Sequence, residues 1–220
     1  MFEQETQNPL DINPVRDWCL KHTEVGDVFV DCGAHIGRIS VPVAQKGVKV
    51  VAIEACPESA EVLRRNLAPY KNAIVIEKVI WDKEGEVEFT VPLDSYIQSS
   101  VFDRFSPNRE QVRTEWLPST TLHRILKKIP EGKVVLKLDV ELSESYVWAG
   151  LGKSLKRLKA VCMEFMPTIL RADAKIDPYE FIERIRMDGF DILNLDGTAI
   201  LETELFSPKG SKVDLYLKPR

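Results

Sequence analysis

The hydrophobic pattern of the chain alternates between short apolar runs and segments with helical periodicity. Continuous apolar runs at 134–138 and 158–165 are typical of strands that are covered on both faces of a sheet. Alternating apolar and polar residues at 86–91 indicate a strand with one buried face. Apolar residues recur at helical spacing after Pro57, where proline fits the first turn of a helix. The pattern therefore predicts strands that alternate with helices.

The predicted elements are sufficient to specify a fold class. Strands are expected at 27–31, 48–53, 73–80, 86–91, 134–138, 158–165, 190–195 and 213–217. Helices are expected to begin at Pro14, Ile36, Pro57, Ser143 and Pro178, and the segment TTLHRIL is expected to be a further helix start. The alternation predicts an α/β fold with a mostly parallel sheet and helices on both faces. The last two strands have no helix between them and are expected to pair antiparallel.

Composition narrows the class of protein without identifying it. The 220 residues carry a formal net charge of -4, which is unlike proteins that bind nucleic acid through bulk electrostatics. Residues 1–12 are polar, lack the pattern of a signal peptide and are expected to form a tail before a single domain over 13–220. No apolar run of about 18 residues predicts a membrane span, so we expect a cytoplasmic location. The four cysteines form no C-x-x-C pair, and no metal site is expected from them.

One segment stands apart from the alternation. Residues 92–118 are rich in Ser, Pro and Arg and show little periodicity, so we expect a long loop. A loop of this length inside a compact domain is usually a lid, a binding loop or disordered. Its arginines, Arg104, Arg109 and Arg113, favour a lid that selects an anionic or sugar-like acceptor. The alternative is a solvated, flexible insert.

The first candidate for chemistry is the turn after the first strand, VFVDCGAHIGRIS at 28–40. Gly33 allows a ligand to approach the backbone closely, and Gly37 allows the next helix to pack closely on the sheet. The glycine spacing differs from the G-x-G-x-x-G of dinucleotide-binding proteins. A second acid, Glu54, ends the next strand, where it can accept hydrogen bonds from both ribose hydroxyls of a nucleoside cofactor. The alternative is a tight turn followed by a glutamate that caps a helix.

The acid at the end of the first strand, Asp31, narrows the type of cofactor. A carboxylate there repels a pyrophosphate and attracts a positively charged amino group. A cofactor that carries adenosine, an ammonium and a sulfonium fits such a cleft better than a dinucleotide does. S-adenosylmethionine has these groups, so the residues favour it as the cofactor.

A second group of acids follows the apolar strand at 134–138. Asp139 and Glu141 come at its carboxyl end, Glu144 follows one turn later, and Glu164 ends the next apolar strand. Carboxylates beside apolar strands are costly to bury without partners. They are candidates to ligate a metal, act as a base or hold the ammonium of the cofactor, and no metal is assigned. The alternative is that such acids stabilise the N-terminus of the following helix.

Five motifs in order resemble the FkbM family of class I methyltransferases. They are D-x-G-A-x-x-G, V-x-A-I-E-x-x-P-E, W-D-K-E-G-E-V-E-F, T-L-x-x-I-L and K-L-D-V-E-x-x-E-x-x-V, and they cover roughly residues 25–167. The resemblance implies a Rossmann-like class I methyltransferase fold, with a mostly parallel seven-stranded sheet and a C-terminal antiparallel strand pair. It also implies methyl transfer from S-adenosylmethionine, commonly to a hydroxyl of a sugar or another small molecule.

The resemblance assigns roles by position. The positions that it assigns to cofactor binding are Asp31, Gly33, Ala34, His35, Gly37, Glu54, Ala55, Trp81, Asp82, Ser99, Ser100 and Asp139. Among these, Glu54 matches the acid that binds the ribose, and Trp81 lies in the stretch that borders the adenine. Asp139 and Glu141 match the acidic motif at the edge of the active site.

Two places in the motifs depart from the family pattern. Leu142 and Ser143 stand where the family usually has Gly and Ala, and His35 often corresponds to Asn. A side chain at Leu142 is expected to narrow the acceptor pocket. Both departures leave cofactor binding plausible and bear on the acceptor instead.

The acceptor determines which residues act as catalysts. A hydroxyl has to lose its proton during or after attack, and the candidate bases are Glu141 first, then Asp139 and Glu164. His35 and His123 are the runners-up, and the basic run at 153–159 is expected to be a solvated helix face. The expected partner is a small-molecule or glycan acceptor. The alternatives are an RNA methyltransferase of the same cofactor class and a non-catalytic partner module with this fold.

Overall fold

The computed structural model describes residues 13–92, 99–102, 112–129, 131–207 and 212–220. Its strands are β1 (Val28–Cys32), β2 (Lys49–Glu54), β3 (Ala73–Glu77), β4 (Val79–Ile80), β5 (Gly85–Pro92), β6 (Val112–Thr120), β7 (Val134–Leu138), β8 (Leu158–Phe165), β9 (Phe190–Asn194) and β10 (Val213–Pro219). Its α-helices are α1 (Pro14–His22), α2 (Ser40–Gln45), α3 (Pro57–Leu67), α4 (Leu122–Lys127), α5 (Glu144–Ala149), α6 (Pro167–Ala172), α7 (Pro178–Met187) and α8 (Glu202–Leu205). A 3₁₀ helix covers Gly152–Arg157.

The main sheet has seven strands in the order β3-β2-β1-β7-β8-β10-β9. The first five of these are parallel to one another, and β10 is antiparallel to both β8 and β9. This arrangement confirms the predicted α/β class, the Rossmann-like seven-stranded sheet and the antiparallel closing pair. Because β1 lies between β2 and β7, the strand order reverses at β1, and open α/β sheets bind ligands at such a point.

The strands direct alternate side chains to the two faces of the sheet. Val28, Val30 and Cys32 of β1 pack in a large apolar core that includes residues of α4, α5 and α7. Phe29 points to the other face and packs in a core that includes residues of α1, α2 and α3. Helices therefore cover both faces, which explains the continuous apolar runs in the central strands.

Helix starts follow local chemistry closely. α1, α3 and α7 each begin with a proline, as predicted. The side chain of Asn13 caps α1 by accepting a hydrogen bond from the backbone N–H of Arg16 at 2.9 Å. α2 begins at Ser40 rather than at the expected Ile36. This later start places Pro42 in the first turn, where a missing backbone N–H costs the helix no hydrogen bond.

A second, three-stranded sheet with the order β4-β6-β5 was not expected. The predicted strand at 73–80 is in fact two strands, β3 and β4, which belong to different sheets. Residues 112–118 of the expected loop at 92–118 form part of β6, which pairs antiparallel with β5. The hydrophobic pattern did not predict β6, because most residues of this strand are half-buried or exposed. Its apolar residues Trp116 and Leu117 are also adjacent rather than alternating.

Some expectations fall on parts of the chain that lie outside the described residues. These are the tail at 1–12 and the loop segments 93–98 and 103–111, which include Arg104 and Arg109. The lid therefore stays a prediction. Within the described ranges, no helix combines the length and the apolar character that are needed to cross a membrane. The short helices α6 and α8 were not predicted.

Candidate cofactor and acceptor site

The residues of the sequence motifs meet at one edge of the main sheet. Asp31, Glu54, Asp139 and Glu164 lie at or just beyond the carboxyl ends of β1, β2, β7 and β8. These four strands are parallel and adjacent, so their carboxyl ends share an edge. The edge includes the point at β1 where the strand order reverses, which is where this class of sheet binds ligands.

The turn after β1 is held close to the neighbouring strands. The backbone N–H groups of Gly33 and Ala34 both donate to the carbonyl of Ile53 at 3.0 Å. Gly33 has φ +75, and a Cβ there would lie 1.8 Å from the carbonyl oxygen of Asp139, so only glycine fits. A Cβ on Gly37, at φ +94, would lie 2.9 Å from a side-chain carbon of Leu63 in α3. The two glycines therefore serve close packing of this turn.

Glu54 combines a structural role with free acceptor capacity. One carboxylate oxygen accepts a hydrogen bond from the backbone N–H of His35 at 2.8 Å, and the other accepts from Cys56 at 2.9 Å. Burial raises the pKa of Glu54, and these two backbone N–H groups act in the opposite direction. A carboxylate has about four acceptor positions. Two therefore remain that the backbone does not use, and the assignment of Glu54 to the ribose stays a prediction.

Asp31 lies deeper than the sequence suggested. Its side chain is only 1% exposed. One carboxylate oxygen accepts a hydrogen bond from the Ser40 hydroxyl at 2.7 Å, and the other lies 3.3 Å from Nζ of Lys137. Asp139, which also lies 3.3 Å from that Nζ, is 32% exposed. Asp139 is therefore the more accessible acid for the amino group of a cofactor, and Asp31 supports the turn from within.

Lys137 is a buried charged residue of the candidate site that sequence analysis did not single out. It lies in β7 directly opposite Asp31 of β1 and is buried. The sequence contained one sign of it, because a lysine interrupts an otherwise apolar run that was predicted to be covered on both faces. A charge at such a position requires partners.

The three candidate bases lie together. Carboxylate oxygens of Asp139, Glu141 and Glu164 all lie within 4.8 Å of one another. Glu164 is almost fully buried and forms an ion pair with Lys212. Burial, together with the nearby charge of Asp139, raises the pKa of Glu164 to about 7. Carboxylates at this spacing can share a proton or hold a hard divalent cation, and Lys212 already supplies one positive charge to them.

Glu144 contacts the loop that precedes α5, whereas the alternative interpretation assigned such acids to the N-terminus of the helix. Its carboxylate is 4% exposed and accepts a hydrogen bond from the backbone N–H of Val140 at 3.0 Å. Burial raises its pKa to about 8, although hydrogen bonds from the backbone act against this. The carboxyl group therefore stabilises the loop between β7 and α5.

The turn that carries Glu141 is strained and anchored. Glu141 and Leu142 both have positive φ, +52 and +77, which is unusual for residues with side chains. Leu142 is 1% exposed and packs in the large apolar core. The expectation that this side chain narrows the acceptor pocket is therefore wrong, since the side chain is directed into the core. On the other side of the turn, the Ser100 hydroxyl donates to the carbonyl of Glu141 at 2.6 Å.

An aromatic cluster borders the same turn. The rings of Trp81 and Tyr146 stack with centroids 4.0 Å apart and an interplanar angle of 11°. Phe102, two residues beyond Ser100, lies 6.3 Å from Trp81 and 6.1 Å from Tyr146. Sequence analysis assigned Trp81 and Ser100 to cofactor binding, considered Phe102 only as part of the loop at 92–118, and did not consider Tyr146.

The two histidines considered as bases have other contacts. The backbone of His35 has φ +48 and binds Glu54, and burial lowers the pKa of its imidazole. His123 is half-buried, and its Nδ1 forms a hydrogen bond with Oγ of Ser154 at 2.9 Å. This contact joins α4 to the 3₁₀ helix, away from the three acids.

Several cations expected to be free are engaged in the protein. Arg113, expected in the lid, lies in β6 and makes two contacts with the Glu58 carboxylate, at 2.8 and 3.1 Å. In the basic run, Arg157 donates to four backbone carbonyls, including those of Leu126 and Ile129 in and after α4. Lys159 pairs with Asp27 at 2.8 Å. The run is therefore only partly the solvated face that was predicted.

Comparison with known proteins agrees with this geometry. The sequence matches the model of the methyltransferase FkbM domain over residues 31–196. No curated protein matches the sequence. A solved TehB-like SAM-dependent methyltransferase from Corynebacterium glutamicum is 10% identical, with a TM-score of 0.50 over 96% of this chain and 89% of that chain. SMU.1697c from Streptococcus mutans, solved in complex with SAH, is 11% identical, with a TM-score of 0.52 over 95% of this chain and 99% of that chain.

The two kinds of comparison support different statements. Solved structures at such low identity show that the fold is shared. The family model matches most of the chain and includes the turn after β1, the acid at the end of β2 and the acids after β7. The chain therefore belongs to the FkbM family of methyltransferases, and its cofactor is S-adenosylmethionine.

Proposed function

We propose that this chain transfers the methyl group of S-adenosylmethionine to a hydroxyl oxygen of a small molecule or sugar. The observation that carries the proposal is the group formed by Asp139, Glu141 and Glu164, whose carboxylate oxygens lie within 4.8 Å of one another. The group lies at the same edge of the sheet as the cofactor residues. An oxygen acceptor has to give up a proton, and carboxylates beside the donor are suited to take it.

The cofactor residues hold the donor in one orientation. Bound S-adenosylmethionine supplies a methyl group that its sulfonium has already activated. Glu54 would hold the ribose hydroxyls through the acceptor positions that its two backbone contacts leave free. Asp139, which is partly exposed, would bind the amino group. Alignment of acceptor, methyl and sulfur supplies up to about 7–11 kcal/mol of the rate enhancement.

Glu141 is the first candidate for the general base. Its backbone is held by the Ser100 hydroxyl on one side and by the buried Leu142 on the other. Glu164 has a pKa of about 7, so this carboxyl group can hold a proton at neutral pH. The proton of the acceptor hydroxyl moves to the Glu141 carboxylate as the acceptor oxygen attacks the methyl carbon. The carboxyl group of Glu141 then releases this proton to water. A positioned base typically contributes about 10²–10⁴-fold in rate.

The aromatic cluster supports an acceptor with an apolar face. Tyr146 and Phe102 are half-buried, and Phe102 follows directly on the segment that binds the Glu141 carbonyl. Aromatic rings stack on flat apolar surfaces, such as the face of another ring. A sugar ring or an aromatic alcohol would match this chemistry.

The proposal is tested by labelled-methyl transfer. The protein is incubated with methyl-labelled S-adenosylmethionine and, separately, with a small-molecule extract, a glycan extract and total RNA. We expect label in a hydroxyl-bearing small molecule or glycan. Label only in RNA would support the RNA methyltransferase instead, and binding of the cofactor without any transfer would support a non-catalytic module.

A pair of variants then tests the base. Glu141→Gln is expected to lower the rate of transfer by about 10²–10⁴-fold while cofactor affinity stays unchanged, because the amide cannot take the proton. Glu86→Gln is the matched control, since Glu86 is exposed on β5, and it should retain full activity. Full activity in Glu141→Gln would exclude Glu141 as the base.

A further inference from the structure

Lys137 has more polar partners than a buried lysine needs for neutralisation alone. Its Nζ lies 3.3 Å from the carboxylate of Asp31 and 3.3 Å from that of Asp139. It also donates a hydrogen bond to the carbonyl of Gly33 at 2.9 Å. One ammonium group therefore joins the end of β1, the turn after it and the residue that follows β7.

Strand geometry brings these groups together. Asp31 and Lys137 are direct partners in the parallel pairing of β1 with β7. Asp139 is two residues beyond Lys137, and residues at this spacing point to the same face of an extended chain. Gly33 lies so close to Asp139 that a Cβ on Gly33 would meet the carbonyl oxygen of Asp139. Lys137 is thus buried next to the place where the carboxyl ends of β1 and β7 come closest together.

The contact brings two carboxyl groups to one ammonium. Burial lowers the pKa of Lys137, but the carboxylates of Asp139 and Asp31 raise it above its usual value, so the group stays an ammonium. Burial raises the pKa of Asp31, and the charge of Lys137 acts in the opposite direction. Counted as two carboxylates and one ammonium, the three side chains have a formal net charge of about -1. Asp139 is the partly exposed member of the three. The amino group at the amino-acid end of S-adenosylmethionine has the charge that completes the balance.

We infer that Lys137 is a positioning residue, which fixes the Asp139 carboxylate and the Gly33 carbonyl as the pocket for the amino-acid end of the cofactor. The inference rests on the cofactor assigned above. Lys137 is buried behind both groups and acts through them. The nucleoside end is bound separately, by Glu54 at the end of β2.

Two ligands separate the amino-acid end from the nucleoside end. S-adenosylhomocysteine carries the amino and carboxyl groups, whereas 5′-methylthioadenosine has the same adenosine and a thioether but no amino acid. Binding of both is measured by calorimetry to the unaltered protein and to Lys137→Met. We expect about tenfold to a hundredfold weaker binding of S-adenosylhomocysteine in the variant, because it loses charge-assisted contacts. The affinity for 5′-methylthioadenosine should stay unchanged.

Two further variants distinguish positioning from neutralisation. The double variant Asp31→Asn, Lys137→Met keeps the formal net charge of about -1 at the contact but removes the ammonium that joins Asp139 to Gly33. It also lacks the buried carboxylate of Asp31, which would be left unpaired in Lys137→Met and could unfold that variant. Weak binding of S-adenosylhomocysteine is expected here too. Lys159→Met is the matched control, since Lys159 pairs with Asp27 at the other end of β8, and it should bind both ligands normally.

The outcomes are distinct. Normal S-adenosylhomocysteine affinity in the double variant would overturn the inference, because Lys137 would then only neutralise Asp31. Equal losses for both ligands would overturn it as well, since the effect would not be specific to the amino-acid end. If the unaltered protein binds neither ligand, the cofactor assignment fails and the inference fails with it.

Discussion

At the scale of single residues, three of the four described residues that have a side chain and a positive φ lie in turns of the candidate site. Gly33 and His35 lie in the turn after β1, and Glu141 and Leu142 lie in the turn after β7. Glycine adopts this conformation without strain, whereas each residue with a side chain costs about 1–3 kcal/mol. The turns that carry the candidate cofactor and base residues therefore contain strained backbone conformations.

Gly33 provides a direct test of the close approach of two strand ends. Gly33→Ala is expected to lower the free energy of unfolding by about 2 kcal/mol or more, because the added Cβ would meet the Asp139 carbonyl oxygen at 1.8 Å. Gly197→Ala is the matched control, since Gly197 also has positive φ but has nothing within 4 Å of its Cβ position. Denaturant unfolding of both variants measures the difference. Equal losses would mean that backbone strain alone sets the requirement for glycine.

Leu142 combines a strained backbone conformation, which destabilises the fold, with a buried side chain, which stabilises it. Leu142→Ala is expected to destabilise the protein by about 2–5 kcal/mol, since it removes a fully buried leucine from the core and keeps the strain. Leu142→Gly removes the same side chain but relieves the positive φ of +77. It should therefore be more stable than the alanine variant by about 1 kcal/mol. Thermal or chemical denaturation compares the two, and an alanine variant as stable as the glycine variant would show that no strain is stored.

At the scale of elements, an arginine of the small sheet contacts a helix that packs on the main sheet. Arg113 in β6 contacts Glu58 in the first turn of α3, and it also pairs with Glu115 at 3.1 Å. β4 continues the chain directly from β3, so the two sheets are also joined covalently. The segment at 99–102, which binds the Glu141 carbonyl through Ser100, pairs with this small sheet at Thr90.

The Arg113–Glu58 pair has a predictable pH dependence. The hydrogen bonds from Arg113 lower the pKa of Glu58 from its ordinary value of 4.5 to about 2. The carboxylate is thus favoured in the folded state, so the stabilisation is present above about pH 4.5 and is lost as the pH falls through 2. We expect Glu58→Gln to cost less than about 1 kcal/mol at pH 7, because the pair is partly exposed. The difference from the unaltered protein should shrink in unfolding measurements between pH 5 and pH 2, and a constant difference would refute the ion pair.

Strands were predictable where apolar residues are continuous or alternate with polar ones, and the strand with neither pattern was missed. β7 and β8 match their predicted bounds because both faces of the sheet are covered there. Most positions in these two strands therefore hold apolar residues, and Lys137 is an exception. β6 is half-exposed and was expected to be a loop. In the site, residues at strand ends could be placed from the sequence, because parallel strands share an edge. Lys137, Tyr146 and Phe102 could not, since their roles depend on which distant segments they meet.

At the scale of the whole molecule, two buried carboxyl groups make stability depend on pH in an unusual direction. Burial raises the pKa of Glu144 to about 8 and that of Glu164 to about 7, both from 4.5. A raised pKa means that the folded state holds the proton more tightly than the unfolded chain does. The free energy of unfolding should therefore fall as the pH rises from about 4.5 to 8.

Glu144 allows this dependence to be measured. Glu144→Gln keeps an acceptor for the backbone N–H of Val140 but cannot ionise. We expect the variant to gain stability relative to the unaltered protein as the pH rises from 5.5 to 8.5, in urea unfolding at each pH. Glu86→Gln, on the exposed side of β5, should show no such trend. A gap between Glu144→Gln and the unaltered protein that does not change with pH would show that Glu144 is ionised throughout.

The alternation of side chains along β7 has a consequence for how this protein can vary. Leu136 and Leu138 face the large core, whereas Lys137 between them faces Asp31 on the opposite side of the sheet. Inserting or deleting a single residue within β7 would exchange these faces, moving the ammonium into an apolar layer and a leucine against a carboxylate. Relatives that keep the contact between Lys137 and Asp31 can therefore differ from this chain by substitutions within β7. Insertions and deletions must be confined to the loops.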